Sequence, residues 1–200
     1  MGMDKRLLRV AGGPLIARTV EVAHTAGLAP IVVVLREDDG AVRSILGPLD
    51  CRVVARADND GGMRASLREG LAAIDHVHDG VVVMLPDMPA VEPYMIRALL
   101  GAPRDARAVV SRYGQYVAPP ILFRPWGLDL LASAGDGAGA RLADEPDVHV
   151  VSWPAERGLD VDRPEDVVRF AVRLYHSPPR SRNQPPCRPS QRVRGLNGEC

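Results

Sequence analysis

Cysteine is scarce. Only Cys51, Cys187 and Cys200 occur in 200 residues, and no two are spaced as CxxC. Cys51 sits in an apolar run and the other two in a polar stretch, so neither a disulfide framework nor a zinc site is indicated. Charge of one sign is also lacking: 25 Lys and Arg balance 25 Asp and Glu. Nothing therefore argues for a general nucleic-acid or membrane partner. No run approaches the roughly 18 apolar residues of a membrane span. The opening residues are charged rather than signal-like, so the expected compartment is the cytoplasm. The five histidines show no HxxxH or HExxH spacing. GxSxG, a Walker loop and GxGxxG are all absent, which argues against hydrolase, P-loop and dinucleotide readings.

What is present is an alternation of two segment types. IVVVL (31–35), CRVVA (51–55), GVVVML (80–85), RAVVS (107–111) and VHVVS (148–152) are short and valine-rich. Several are apolar on both faces, as strands buried in a parallel sheet are. Helical stretches lie between them. Residues 14–26 put Leu15, Ile16, Thr19, Val20 and Ala23 on one stripe, with Pro14 suited to the first turn and Gly27 to the C-cap. Segments 65–74, 93–100 and 163–174 read the same way. Strand alternating with helix implies right-handed crossovers and a sheet covered on both faces. The expectation is one α/β domain over 1–176, a doubly wound, mostly parallel sheet of Rossmann-like type. From Ser177 onward the chain is Pro-, Arg- and Ser-rich without apolar period, and residues 177–200 are expected to be a disordered tail.

In such sheets ligands bind beyond the carboxyl ends of the strands. After GVVVML comes PDMP, where Pro86 and Pro89 stiffen the backbone around Asp87. That carboxylate suits a hard cation such as magnesium, or else it caps the following helix. After CRVVA comes RADNDGGMRASLREGL. Its glycines before a helix offer N–H groups to a phosphate or base edge, while Ser66 and Glu69 form an S-x-x-E capping box, the reading spacing favours. In GLDVDRPEDV, Asp160 and Asp162 share a face of extended chain. Asp160 is assigned to a metal site, and Asp162 to the site or to the helix start DRPE. GDGAGARL (135–142) is a glycine loop carrying Asp136 and Arg141, whose guanidinium could grip a phosphate or simply belong to a flexible loop.

In order and spacing, MGMDKRLL, GGPLIARTVEVAHTAGL, IVVVL, GGMRASLREGL, LPDMP, PPILFR, GDGAGAR and LDVDRPEDV resemble the MobA-like nucleotidyltransferases, in particular their molybdenum cofactor cytidylyltransferase branch. The resemblance runs from Gly2 to about Phe170. It implies that magnesium-assisted transfer joins a nucleotidyl group, CTP favoured as donor, to the phosphate of a molybdopterin cofactor, releasing pyrophosphate. Lys5 and Asp87 would be catalytic, with Asp87 and Asp160 on the metal. Gly2, Lys5, Ser66 and Gly70 would line the nucleotide, and Asp136, Arg141 and Asp162 the acceptor. A molybdoenzyme or its chaperone is the implied macromolecular partner. The sequence opens at the MG of the family's LAAGxSxRMGxxK loop, so a preceding strand and most of that loop are expected upstream. Strands near Ile31 and Val82 would flank the missing one. GDGAGAR carries one residue more than the family's usual GDxGAR. Two alternatives stay open: a nucleotidyltransferase for another small acceptor such as a sugar phosphate, and a catalytically dead nucleotide-binding protein.

Overall fold

A computed structural model describes residues 4–10, 13–56, 62–75, 79–133, 141–161, 165–166 and 168. The C-terminal stretch 177–200, Gly2, Asp136, Asp162 and most of the helix expected over 163–174 lie outside the described residues. A single helical turn, Lys5–Leu7, leads into the short hairpin β1 (Arg9–Val10) and β2 (Gly13–Pro14). There follow α1 (Leu15–Thr25), β3 (Val32–Arg36), α2 (Gly40–Leu46), β4 (Arg52–Arg56), α3 (Gly62–Ala72), β5 (Val81–Val83) and α4 (Pro93–Leu100). The chain continues through β6 (Ala108–Tyr113), β7 (Tyr116–Phe123), α5 (Leu128–Ser133), β8 (Val148–Trp153) and a final turn, Ala155–Gly158.

The expected α/β fold is the one observed. β3 and β4 pair in parallel, Val34 opposite Val54. A second sheet has the order β5-β7-β6-β8. There β6 and β8 are parallel, and β7 runs antiparallel to both β5 and β6. The alternation of side chains along β6 and β7 divides the core into two layers. Val109 and Leu122 meet Leu99 of α4. Ala108, Val110, Ile121 and Phe123 meet Leu130 and Leu131 of α5, with Leu67 and Leu71 of α3 alongside.

α1 bridges the two sheets on one face. Its Ile16 and Val20 pack with Leu35, Val42 and Leu46 on the β3 side. Its Val22 packs with Met88, Val91, Met95 and Ile96 on the β5 side. α3 bridges the other face, since a Cβ on Gly70 would stand 3.1 Å from the Val34 side chain. A side chain there would crowd Val34, so glycine suits this close approach of the helix to β3.

Three local expectations are corrected. Among the described residues β3 bonds only to β4 and β5 only to β7, so Val32–Val34 and Val81–Val83 are half-buried, whereas Val109 and Val110 are fully buried. The double-sided apolar pattern thus marks two strands whose second edges have no strand partner among those residues. Ser66 does not cap α3. The helix has already begun at Gly62, and the Ser66 hydroxyl donates back to the Gly62 carbonyl at 3.4 Å. Pro14 is the N-cap of α1 and not its first helical residue.

Candidate active site

The site is assembled at the carboxyl end of β5. Asp87 caps no helix, because α4 begins six residues later with Glu92 as its N-cap. Its Oδ2 accepts from the Lys5 ammonium at 2.6 Å. Its Oδ1 is buried and has no hydrogen-bond partner among the described residues. An acceptor removed from water with no donor costs free energy unless something else satisfies it. A hard divalent cation takes carboxylate oxygen and would satisfy that atom, although among the described residues no three His, Cys, Asp or Glu side chains gather to hold one.

Lys5 reaches Asp87 because its neighbour is anchored. Asp4 caps the Lys5–Leu7 turn by accepting from the Arg6 amide at 3.0 Å. The Arg6 guanidinium then forks onto two carboxylates. It donates to Asp4 from Nε at 2.9 Å and Nη2 at 2.6 Å, and to Asp39 from Nη1 at 2.6 Å and Nη2 at 2.5 Å. Asp39, just beyond β3, also accepts from the Arg36 amide at 2.8 Å. These hydrogen bonds from Arg6 hold the carboxyls of Asp4 and Asp39 below their ordinary range, and the bond to Asp39 is the main cause raising Arg6. Underneath, Leu8, Val10, Leu15, Ala90 and Val161 form one buried cluster.

Arg6 also borders a cleft of about 300 Å³ at the ends of β3 and β4, lined by Val34, Leu35, Arg36, Asp39, Arg56, Gly62, Met63 and Ser66. Its charged lining is three arginines against one aspartate, a field that attracts anions. Arg56 is 7% exposed and donates to the Gly62 carbonyl at 2.8 Å, tying β4 to the first residue of α3. Lys5 and Arg6, adjacent in sequence, connect Asp87 to this cleft.

Of the residues singled out from sequence, Lys5 and Asp87 are in direct contact and Ser66 lines the cleft. Gly70 lies farther along α3 against Val34. The segment carrying Asp160 docks on the Asp87 loop, the Val161 amide donating to the Asp87 carbonyl at 2.8 Å. Asp160 itself is exposed and its charge helps raise the hydroxyls of Tyr113 and Tyr116, for both of which burial is the larger cause. Arg141 is exposed, beside Leu142 in the α5-side core. Among the described residues no hydrogen bond or ion pair joins it to the others. The sequence reading passed over Arg6, Asp39 and Arg56. The rule that selected Asp87, an acid just past a strand, applies equally to Asp39. Arg6 carried no signal of its own.

The family model for the MobA-like NTP transferase domain matches residues 1–150. A probable molybdenum cofactor guanylyltransferase of Opitutus terrae is 31% identical over 180 residues, covering 83% of this chain and 86% of that protein. The bifunctional protein GlmU of Geobacter metallireducens is 25% identical over 149 residues, which are 74% of this chain but only 29% of that protein's length. Among solved structures, Rv0371c of Mycobacterium tuberculosis in complex with manganese superposes with a TM-score of 0.71 at 29% identity, covering 84% of this chain and 92% of that one. With the match spanning three quarters of the sequence and the fold shared, the chain belongs to the MobA-like NTP transferase family.

Proposed function

We propose that this protein transfers a nucleotidyl group from an NTP to the terminal phosphate of a molybdopterin-type cofactor. An oxygen of the acceptor phosphate attacks the α-phosphorus, the bond to the β-phosphate breaks, and pyrophosphate leaves. The observation that carries this reading is the pairing at Asp87, one carboxylate oxygen on Lys5 and the other buried without a partner among the described residues.

Asp87, with Asp160 on the adjoining segment, would hold a divalent cation, magnesium in our reading. Bound there, the ion would supply charge neutralisation on the phosphates. The chain's own residues position and balance charge. Lys5, 40% exposed on its side chain, can turn from Asp87 toward a phosphate. Arg6 and Asp39 hold the turn that aims it. The arginine-lined cleft beside it, with Ser66 and the start of α3, would receive the nucleotide. Gly2, Asp136 and Asp162 complete the proposed set, with Gly70 and Arg141 kept on the nucleotide and acceptor sides.

Two donors are proposed on separate grounds. Resemblance to the cytidylyltransferase branch favours CTP, and the guanylyltransferase name of the Opitutus terrae relative favours GTP. Pyrophosphate release is measured with each NTP, with molybdopterin, with a sugar phosphate and with neither. Acceptor-dependent release with one of the two supports the reading. Release only with a sugar phosphate supports the other transferase reading, and nucleotide binding without release supports a binding protein.

A further inference from the structure

The loop that carries Asp87 is short of donors. Two of the four residues in PDMP are prolines without an N–H, and the one turn bond inside the loop runs from the Val91 amide to the Met88 carbonyl at 3.2 Å. Met88, Ala90 and Val91 are buried at 3–5% exposure, so the floor of the loop is fixed by apolar packing. Packing of that kind sets where the loop lies more firmly than how its peptide planes are turned. Directional contacts come from outside, a long one from Arg157 Nη1 to the Ala90 carbonyl at 3.5 Å and two closer ones. The Val161 amide reaches the Asp87 carbonyl. From the opposite side the Arg18 Nε donates to the Pro89 carbonyl at 3.0 Å, across 71 residues of sequence. Arg18 projects from α1 between Leu15, which packs with Ala90, and Val22, which packs with Met88 and Val91.

The Asp87 side chain has little to orient it. Lys5 is a flexible partner on one oxygen, and the other oxygen has none among the described residues. Its direction therefore depends on the peptide planes of the loop. We propose that Arg18 is a positioning residue, acting through the Pro89 carbonyl to hold Asp87 in the orientation that receives a divalent cation. This rests on the metal role of Asp87 argued above. In this role Arg18 acts on the Pro89 carbonyl and not on substrate or ion.

The test is binding of Mn²⁺ alone, without nucleotide, followed by the loss of the free-ion spin-resonance signal, in the wild type and in Arg18→Met, Arg18→Lys and Asp87→Ala. Arg18→Met keeps an apolar stem and removes the donor. Outer partners of metal ligands commonly change affinity by about 10–100-fold. The contact here is one step further out, so Arg18→Met should weaken Mn²⁺ binding by about tenfold, and Arg18→Lys should recover part of the loss. In turnover, the metal concentration for half-maximal rate should rise while the KM for nucleotide stays put. Unchanged Mn²⁺ affinity in Arg18→Met overturns the positioning role. So does a loss of affinity that only tracks a lowered melting temperature and is not restored by lysine. If the wild type takes no Mn²⁺, or Asp87→Ala binds it equally well, the metal reading itself falls, and this inference with it.

Discussion

Lys5 and Asp87 stand 82 residues apart in sequence and 2.6 Å apart in space, with side-chain exposures of 40% and 14%. A lysine close to the beginning of the sequence thus sits on the acid at the mouth of β5. In the metal reading proposed above, the ammonium and a cation would compete for the charge of this one carboxylate. Lys5→Ala should therefore bind Mn²⁺ alone more tightly than the wild type, and NTP more weakly. Removing the ammonium leaves Asp87, 14% exposed, without that donor, so the variant should also lose about 1–3 kcal/mol of stability. Titration of the free ion and of a fluorescent NTP analogue reads both signs. Weaker Mn²⁺ binding in the variant would show that Lys5 does not compete for Asp87.

Arg6→Met should be a damaging change to stability too, although the proposed catalytic role falls on its neighbour Lys5. It strands Asp39, whose side chain is 11% exposed, and releases the Lys5–Leu7 turn. Hydrogen bonds to charged groups are worth about 1.5–3 kcal/mol, so a loss near the lower end is expected by urea unfolding. The pH dependence has a definite sign. Arg6 holds Asp4 and Asp39 below their ordinary value of 3.8. Their contribution is complete above that value and disappears as the pH falls through the lowered folded values. Below pH 3.8 the wild type should lose stability more steeply than Arg6→Met. Parallel curves would mean that Arg6 is not what holds these carboxyls down.

Gly158→Ala tests the seat of the Asp160 segment. A Cβ there would collide with the Tyr116 hydroxyl and lie 2.5 Å from Tyr113 Cγ, and the Gly158 carbonyl is the acceptor for the Tyr116 hydroxyl. Tyr113 is fully buried and cannot yield. Overpacking of this kind typically costs about 1–3 kcal/mol, visible as a lower melting temperature. An unshifted transition would mean that the 155–161 segment packs less tightly than described.

Much of this fold was legible in the sequence, and the failures have physical causes. β3, β4, β6, β8, α1 and α4 fall within a residue or two of their expected places, because valine runs and the α1 stripe report burial directly. β7 carries no clear strand signal in the sequence, because Pro119 and Pro120 run against an interior strand. The structure accommodates both in a bulge opposite the Val110–Ser111 step. The Ser111 and Tyr113 hydroxyls donate to the Pro120 and Pro119 carbonyls at 2.7 and 2.9 Å. Ser66 misled because a capping box is a local pattern, whereas Gly62 is tied to β4 through Arg56. Asp87 was legible from its position after a strand. The Arg6 fork was not, because its two carboxylates come from positions 4 and 39, and only folding brings them together.

The sheet itself yields a further expectation. β6 lies between β7 and β8, while β3 and β5 each pair on one side only among the described residues. Amide hydrogen exchange should be slow throughout Val109 and Val110 and fast at alternate amides of Val32–Leu35 and Val81–Val83. Uniform protection across all three strands would show that β3 and β5 are closed on their second edges.

The most direct measurement is magnesium-dependent pyrophosphate release in the presence of molybdopterin, with CTP and GTP in parallel, for the wild type and Asp87→Ala. The role assigned to Asp87 requires acceptor-dependent release from the wild type with at least one of the two nucleotides. In the variant that rate should fall by about a hundredfold or more, the scale of losing a charge-stabilising group in the transition state. The circular dichroism spectrum should stay unchanged. Release by Asp87→Ala at a rate near the wild type, with the same dependence on magnesium, would contradict it.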